Sequence, residues 1–199
     1  MSREYIFSDL QRGFGKAREL QFPLIHTLQQ YFAEETLGYL DEKIINHLLD
    51  QIVLMEFFHD FENKFNDFSF LIAPSYKALE GFLFQLADNL KLPSAGNKNL
   101  VGSYYVDEEK LDEQIDSLLS EIELRTGKIT ELNEYEKRDI KSRLKEMKDF
   151  LRHYRHSPAH YTGEPIDTVK KAERTIMVIF AAIDNTASIL LKAKLISVK

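Results

Sequence analysis

A short stretch near the C-terminal end of the sequence, Leu151 to Tyr161, holds two arginines and three histidines. Metal-free RNA cleavage needs one group to take a proton from the ribose 2′-hydroxyl and another to protonate the leaving 5′-oxygen, together with a cation that stabilises the charged phosphorane. Histidine performs both proton transfers near neutral pH, and the planar guanidinium of arginine matches phosphate oxygens. Arg155 and His160, five positions apart, therefore form a candidate catalytic pair.

The same residues have structural alternatives. A cation at the C-terminal end of a helix is favoured by the helix dipole, so Arg155, His153 and His156 could act as helix caps. The three histidines could instead form a metal site, since His-x-x-His on a helix presents both rings to one side. Pro158 interrupts the helix before His160, and no acidic residue lies in that turn. We therefore expect no metal.

Two predicted helices hold the pair between them. The first, 133 to 156, opens with a capping-box pattern of Asn133 and Glu136. Its apolar residues then recur at alternating spacings of four and three, which predicts one buried face. Pro158 ends it, and the last helix, 165 to 196, is predicted to open around Pro165. The pair thus belongs to the junction of two long helices.

Helical periodicity extends over the rest of the chain and predicts an all-α bundle of about five to six helices. The predicted helices are 16–34, 41–66, 74–91, 108–126, 133–156 and 165–196. The nearly all-apolar segment 44–65 is interpreted as core. The loop 94–110 carries Tyr104 and Tyr105, which either stack on nucleobases or cover an edge of the core, the commoner arrangement. We predict an N-terminal extension, 1–69, packed on a main domain, 70–199, with one continuous domain as the alternative.

Composition limits the classes of protein. The sequence is 44% hydrophobic and 29% charged, has no cysteine and carries a net charge of −6. These values predict a folded chain without disulfides or thiolate chemistry and argue against unspecific binding along duplex DNA. The last 49 residues nevertheless have eight basic against four acidic side chains. With no leader-like segment and no membrane span recognised in the sequence, the expected location is the cytoplasm.

The segment Arg155-His156-Ser-Pro-Ala-His160 resembles the ribonuclease motif of the HEPN superfamily, an arginine followed after four to six residues by histidine, at the end of a long helix before the last helix. Within that superfamily the chain resembles the C-terminal domain of RnlA/LsoA-type toxin ribonucleases. Tyr76-Lys77-Ala-Leu-Glu80-Gly supports this, because those toxins carry a basic residue three positions before a glutamate in a similar context. The resemblance covers about residues 70 to 196.

The resemblance implies a HEPN-like fold and metal-independent cleavage of single-stranded RNA without a cofactor, in an active site at a homodimer interface. Its implied catalytic residues are Arg155, His160 and Glu80, and the residues expected to bind or orient RNA are Lys77, His156, Arg152 and Tyr161. An antitoxin protein is a candidate partner; no membrane or DNA is expected to bind. Three alternatives stay open: a non-catalytic dimerisation or partner-binding module, the accessory member of a nucleotidyltransferase pair, and, for Glu80, a simple i, i+3 ion pair with Lys77.

Overall fold

The computed structural model describes residues 26–58, 65–94, 96–105, 107–126, 134–150 and 165–198. Apart from a helical turn at 26–28, these residues form six α-helices and two short 3-10 helices, and no strand occurs among them. The α-helices are α1 (Glu34–Tyr39), α2 (Glu42–Glu56), α3 (Ala73–Asn89), α4 (Glu108–Thr126), α5 (Glu134–Phe150) and α6 (Val169–Lys192). The 3-10 helices, Ser69–Ile72 and Val101–Tyr104, precede α3 and α4. The predicted all-α helical bundle is therefore confirmed.

One hydrophobic core joins helices from both sides of residue 69. The most extensive contact is between α2 and α3, and Ile44, Leu48 and Ile52 of α2 are buried there. The interpretation of this part of segment 44–65 as core is confirmed, whereas Phe57 and Phe65 are exposed. The proposed boundary between residues 69 and 70 stays a prediction.

A buried glutamine fixes the start of α3, which carries Lys77 and Glu80. Gln51 of α2 is fully buried, and its Nε2 donates to the Leu71 carbonyl at 2.9 Å. Its Oε1 accepts from the Ser75 backbone N–H at 3.1 Å and from the Ser75 hydroxyl at 2.8 Å. Amides in the first turn of a helix lack partners within the helix, and no side chain of the N-cap residue, Ile72, supplies one. A neighbouring helix therefore provides the cap.

Helices α4 and α5 form an antiparallel pair that is tied by charges. Lys141 lies 2.7 Å from Asp116, and Lys145 lies 2.7 Å from Asp112. From the first pair to the second, the residue number rises by four on α5 and falls by four on α4, so the two helices run in opposite directions. The start of α5 is also bound to the end of α6, because Lys192 Nζ donates to Glu136 at 2.6 Å.

Two predicted helix boundaries in the N-terminal part are wrong, and a tertiary hydrogen bond explains the first. The predicted helix 16–34 is interrupted by a turn after Leu28, and the Ala33 N–H donates to Asp184 of α6 at 2.9 Å instead of continuing a helix. A separate helix, α1, follows where none was predicted. The predicted helix 41–66 ends at Glu56, and Phe65 is not helical. Residues 16–25 and 59–64 of these predictions lie outside the described residues.

The last helix is shorter than predicted at both ends. It begins at Val169, and the Thr168 side chain caps it by accepting from the Lys171 N–H at 3.2 Å. It ends at Lys192, where Lys194 turns the chain in the left-handed region, with φ of 58°. The Leu195 N–H then donates to the Leu190 carbonyl and the Lys194 N–H to that of Leu191, the pattern of a Schellman cap.

No membrane span was recognised in the sequence, but helix α6 has the length and composition of one. By length and composition it is apolar enough to cross a bilayer, with a mean hydropathy of 1.5 over its most apolar 18 residues. The core helix of a soluble protein can have the same length and composition. Ile176, Ile179, Phe180 and Ile183 are buried against other helices of the chain.

Candidate functional site

The two described members of the predicted site lie on α3. Lys77 is exposed and Glu80, one turn later, is half-buried. Within the described part of the chain Lys77 forms no ion pair, so the simple i, i+3 pair with Glu80 is absent. Glu80 takes part in another interaction and is not a free carboxylate. The structural alternative that paired these two side chains is therefore wrong.

The other predicted site residues fall in the segment 151–164, which lies outside the described residues. They are Arg152, Arg155, His156, His160 and Tyr161. The catalytic and RNA-binding roles assigned to them stay predictions, and so does the alternative of a histidine metal site. Elsewhere, a search of the described residues finds no group of three or more side chains suited to hold a metal ion. Asn133 of the predicted capping box is also outside, while Glu136 is bonded to Lys192.

The C-terminal flank of that segment is anchored beside the start of α3. Ile166 is buried, and its carbonyl accepts from the Phe68 N–H at 2.7 Å. Phe68 immediately precedes the 3-10 helix that leads into α3. His160 is six residues from Ile166, and an extended chain of that length reaches on the order of 20 Å. Helix α3 rises only about 10 Å between Ala73 and Glu80.

The N-terminal flank of the segment leads to the other side of the same stretch of α3. Lys145 on α5 lies opposite Asp112 on α4. If this antiparallel register continues for five more residues, Phe150 at the end of α5 lies level with the start of α4. Tyr104 and Tyr105 directly precede that start. They pack on the part of α3 that follows Glu80.

These two tyrosines cover the edge of the core. Tyr105 is fully buried, and its hydroxyl donates to the Leu83 carbonyl at 2.8 Å. Tyr104 is half-buried and packs edge-on against Phe84, with ring centroids 6.3 Å apart. Burial raises the pKa of Tyr105 far above its ordinary value. The interpretation of both side chains as core cover is confirmed, and the ring of Tyr105 is closed to a nucleobase.

Taken together, the two flanks of segment 151–164 bracket the part of α3 that carries Lys77 and Glu80. Phe68 and Ile166 define one side, and Phe84 with Tyr104 defines the other. In the sequence, only the family resemblance pointed to Glu80. The bracketing depends on tertiary contacts, which no local pattern encodes.

Sequence analysis missed a group of exposed side chains at the same corner. Phe65 and Phe70 are 48% and 43% exposed, although Phe65 was expected to extend a buried helix. Lys170, in the first turn of α6, is exposed too. The remaining histidines in the described ranges have ordinary settings: His26 is exposed and bonded to Gln29, and His47 faces Asp50 at 3.9 Å.

The fold and these contacts define an all-α helical bundle with a candidate site at the start of α3. Comparison with protein-family models, curated proteins and solved structures gives no match for this chain.

Proposed function

We propose that this chain is a metal-independent endoribonuclease of the HEPN type that cleaves single-stranded RNA. The observation that carries the proposal is the bracketing of Lys77 and Glu80 by the two flanks of the segment that contains Arg155 and His160. The chain between these flanks is long enough for both motif residues to reach Glu80. An arginine fork, a histidine and a half-buried carboxylate together supply the groups that metal-free cleavage requires.

In the proposed reaction the ribose 2′-oxygen attacks the adjacent phosphorus, and the bond between phosphorus and the 5′-oxygen breaks. His160 takes the 2′-hydroxyl proton, and Arg155 binds the phosphate oxygens on which negative charge accumulates. A proton is delivered to the leaving 5′-oxygen, so the products are a 2′,3′-cyclic phosphate and a 5′-hydroxyl. Glu80 positions Arg155, while Lys77, His156, Arg152 and Tyr161 bind or orient the RNA.

A homodimer belongs to this proposal for a chemical reason. One histidine would otherwise have to serve as base and acid in the same step. Two copies of the site that face each other across a two-fold axis could divide the roles, one His160 removing the proton and the other donating one. Mixing an inactive His160→Ala chain with wild-type chain would therefore lower activity more than dilution alone.

The first experiment incubates the purified chain with a fluorescently labelled single-stranded RNA in EDTA and identifies the product ends. We expect cyclic phosphate ends, and a loss of rate of at least about 100-fold in His160→Ala and in Arg155→Ala, since general acid–base catalysis contributes roughly that much. His26→Ala and Arg143→Ala are matched controls, because His26 is exposed and bonded to nearby Gln29 and Arg143 pairs with Asp139 within α5. Circular dichroism checks the fold of each variant. Cleavage that survives both substitutions would exclude the proposed site.

One observation favours a second candidate, a non-catalytic module that binds a partner such as an antitoxin. Four apolar side chains of α6, those of Met177, Val178, Ile189 and Leu191, are only partly buried. Apolar side chains that the chain covers only in part can extend into a protein interface. Light scattering combined with the cleavage assay separates the two candidates: a dimer or complex without ribonuclease activity at any pH in which it stays folded would favour the module.

A further inference from the structure

Two phenylalanine rings stand on the surface at the corner where α3 and α6 begin. Phe65 is 48% and Phe70 is 43% exposed, and their ring centroids are 5.0 Å apart at an interplanar angle of 64°. Phe68, between them in sequence, is buried and packs edge-on against Phe65 at 6.3 Å. One ring thus anchors the pair in the core, while the other two keep much of their surface open to solvent.

This aromatic corner, defined as Phe65 and Phe70, is joined by its backbone to the candidate site. The Phe68 N–H donates to the Ile166 carbonyl at 2.7 Å. Ile166 follows His160 by six residues, a span on the order of 20 Å at most. A single strand bound at His160 could therefore extend over the two rings.

Unpaired cations lie on the helices that start here. Lys77 of α3 and Lys170 of α6 are both exposed, and neither forms an ion pair within the described residues. Lys141 and Lys145 on α5 are instead held by carboxylates at 2.7 Å. Lys170 also stands in the first helical turn, where the helix dipole disfavours a cation. Within the described residues the charge of Lys170 therefore stabilises no ion pair and can bind an anion.

We propose that Phe65 and Phe70 stack on bases of single-stranded RNA, while Lys77 and Lys170 bind its phosphates. This proposal rests on the proposed ribonuclease function and names a substrate-binding subsite for it. Proteins hold single strands by combining exposed aromatic rings with cations, because every base has a face that can stack. Here the rings precede α3, and the two cations lie in the second turn of α3 and the first turn of α6.

The test measures binding of a fluorescent 2′-O-methyl RNA oligonucleotide by anisotropy. This RNA lacks the 2′-hydroxyl nucleophile, so binding is separated from cleavage. We expect Phe65→Leu and Phe70→Leu each to raise Kd on the order of tenfold. Phe70→Tyr, which keeps a ring, should bind as wild type does. Tyr135→Leu is the control, because Tyr135 is 81% exposed at the start of α5, beside the far end of α6.

Oligonucleotides with a single abasic position identify the stacked bases. In the wild-type chain we expect one or two abasic positions to weaken binding, and in Phe70→Leu the same positions should no longer matter. Equal Kd values for wild type and both leucine variants would overturn the subsite, and so would absence of any binding by the wild-type chain. A change in oligomeric state in the leucine variants, measured by light scattering, would assign the corner to a protein interface instead.

The two proposals fail in different ways. If the wild-type chain binds the oligonucleotide through the two rings but never cleaves unmodified RNA, the ribonuclease assignment fails and the subsite stands. If cleavage depends on His160 but not on either ring, the ribonuclease assignment stands and the subsite fails. Titration of Lys77→Gln and Lys170→Gln against salt should show a shallower salt dependence than the wild type, because each removes a phosphate contact.

Discussion

Replacing Gln51 with leucine tests whether the start of α3 depends on a cap supplied by another helix. The substitution removes three hydrogen bonds at once: one to the Leu71 carbonyl and two from Ser75. The side chain is fully buried, so water cannot replace the lost partners. A buried donor or acceptor left without a partner costs about 1–3 kcal/mol.

The expected loss is smaller than three such penalties. After the substitution the Ser75 hydroxyl can turn to donate to the Leu71 carbonyl, one helical turn earlier, so these two groups satisfy each other. The Ser75 N–H then remains unsatisfied. We therefore expect Gln51→Leu to lower the free energy of unfolding by about 2–3 kcal/mol, with part of the cost offset by the apolar burial of leucine.

Urea unfolding followed by circular dichroism measures this loss, and two variants calibrate it. Gln114→Leu removes a single, half-buried bond from Nε2 to the Leu90 carbonyl, and we expect a loss of about 1 kcal/mol. Gln30→Leu changes an exposed glutamine and should be close to neutral. If Gln51→Leu costs no more than Gln114→Leu, the buried cap does not stabilise the start of α3.

Three further predictions concern other parts of the bundle. Lys194→Gly should raise the free energy of unfolding by about 0.5–1 kcal/mol in urea unfolding, because Lys194 has φ of 58°, which glycine adopts without strain; no gain would contradict the cap geometry. Stability should fall as pH rises above 10, since burial raises the pKa of Tyr39 to about 12 and that of Tyr105 further, so unfolding releases protons there. The loss attributable to Tyr39 is about 2 kcal/mol by pH 12. The free energy of unfolding of Tyr39→Phe, measured in urea between pH 8 and 11, should therefore fall less steeply with pH than that of wild type. A double-mutant cycle on Asp112 and Lys145, which lie 2.7 Å apart, should give a coupling free energy of about 0.5–1 kcal/mol that decreases in 1 M salt. A coupling free energy that does not change with salt would contradict the expectation that solvent screens this ion pair.

Local pattern predicts helices well where the helix is amphipathic and its ends are set by nearby residues. Helix α4 was predicted at 108–126 and occupies Glu108–Thr126, with Asp107 accepting from the Lys110 N–H just before the first full turn. The pKa of Asp107 is lowered, first by that backbone hydrogen bond. Periodicity and a local cap together are sufficient for such a helix.

Two of the wrong boundaries share a different cause. Ala33 leaves helical geometry because a carboxylate 151 residues away, that of Asp184, accepts its N–H. The last helix starts at Val169 instead of Pro165 because the Ile166 carbonyl is used by Phe68. These partners are distant in sequence, and no window of local sequence contains both members. The candidate site follows the same rule: motif spacing predicted Arg155 and His160, but the placement of Glu80 depends on how α3 is held.

The buried cap at Gln51 links stability to the proposed chemistry. Gln51 determines where α3 begins, and the first two turns of α3 present Lys77 and Glu80. A shift of this start by one residue would rotate both side chains by about 100° around the helix axis. If Glu80 positions Arg155, Gln51→Leu should lower the rate of RNA cleavage under conditions in which the chain remains folded. Gln114 donates to Leu90 at the far end of α3, so Gln114→Leu should leave the rate unchanged. Equal rates in the two variants would separate the cap from the site and leave Gln51 a purely structural residue.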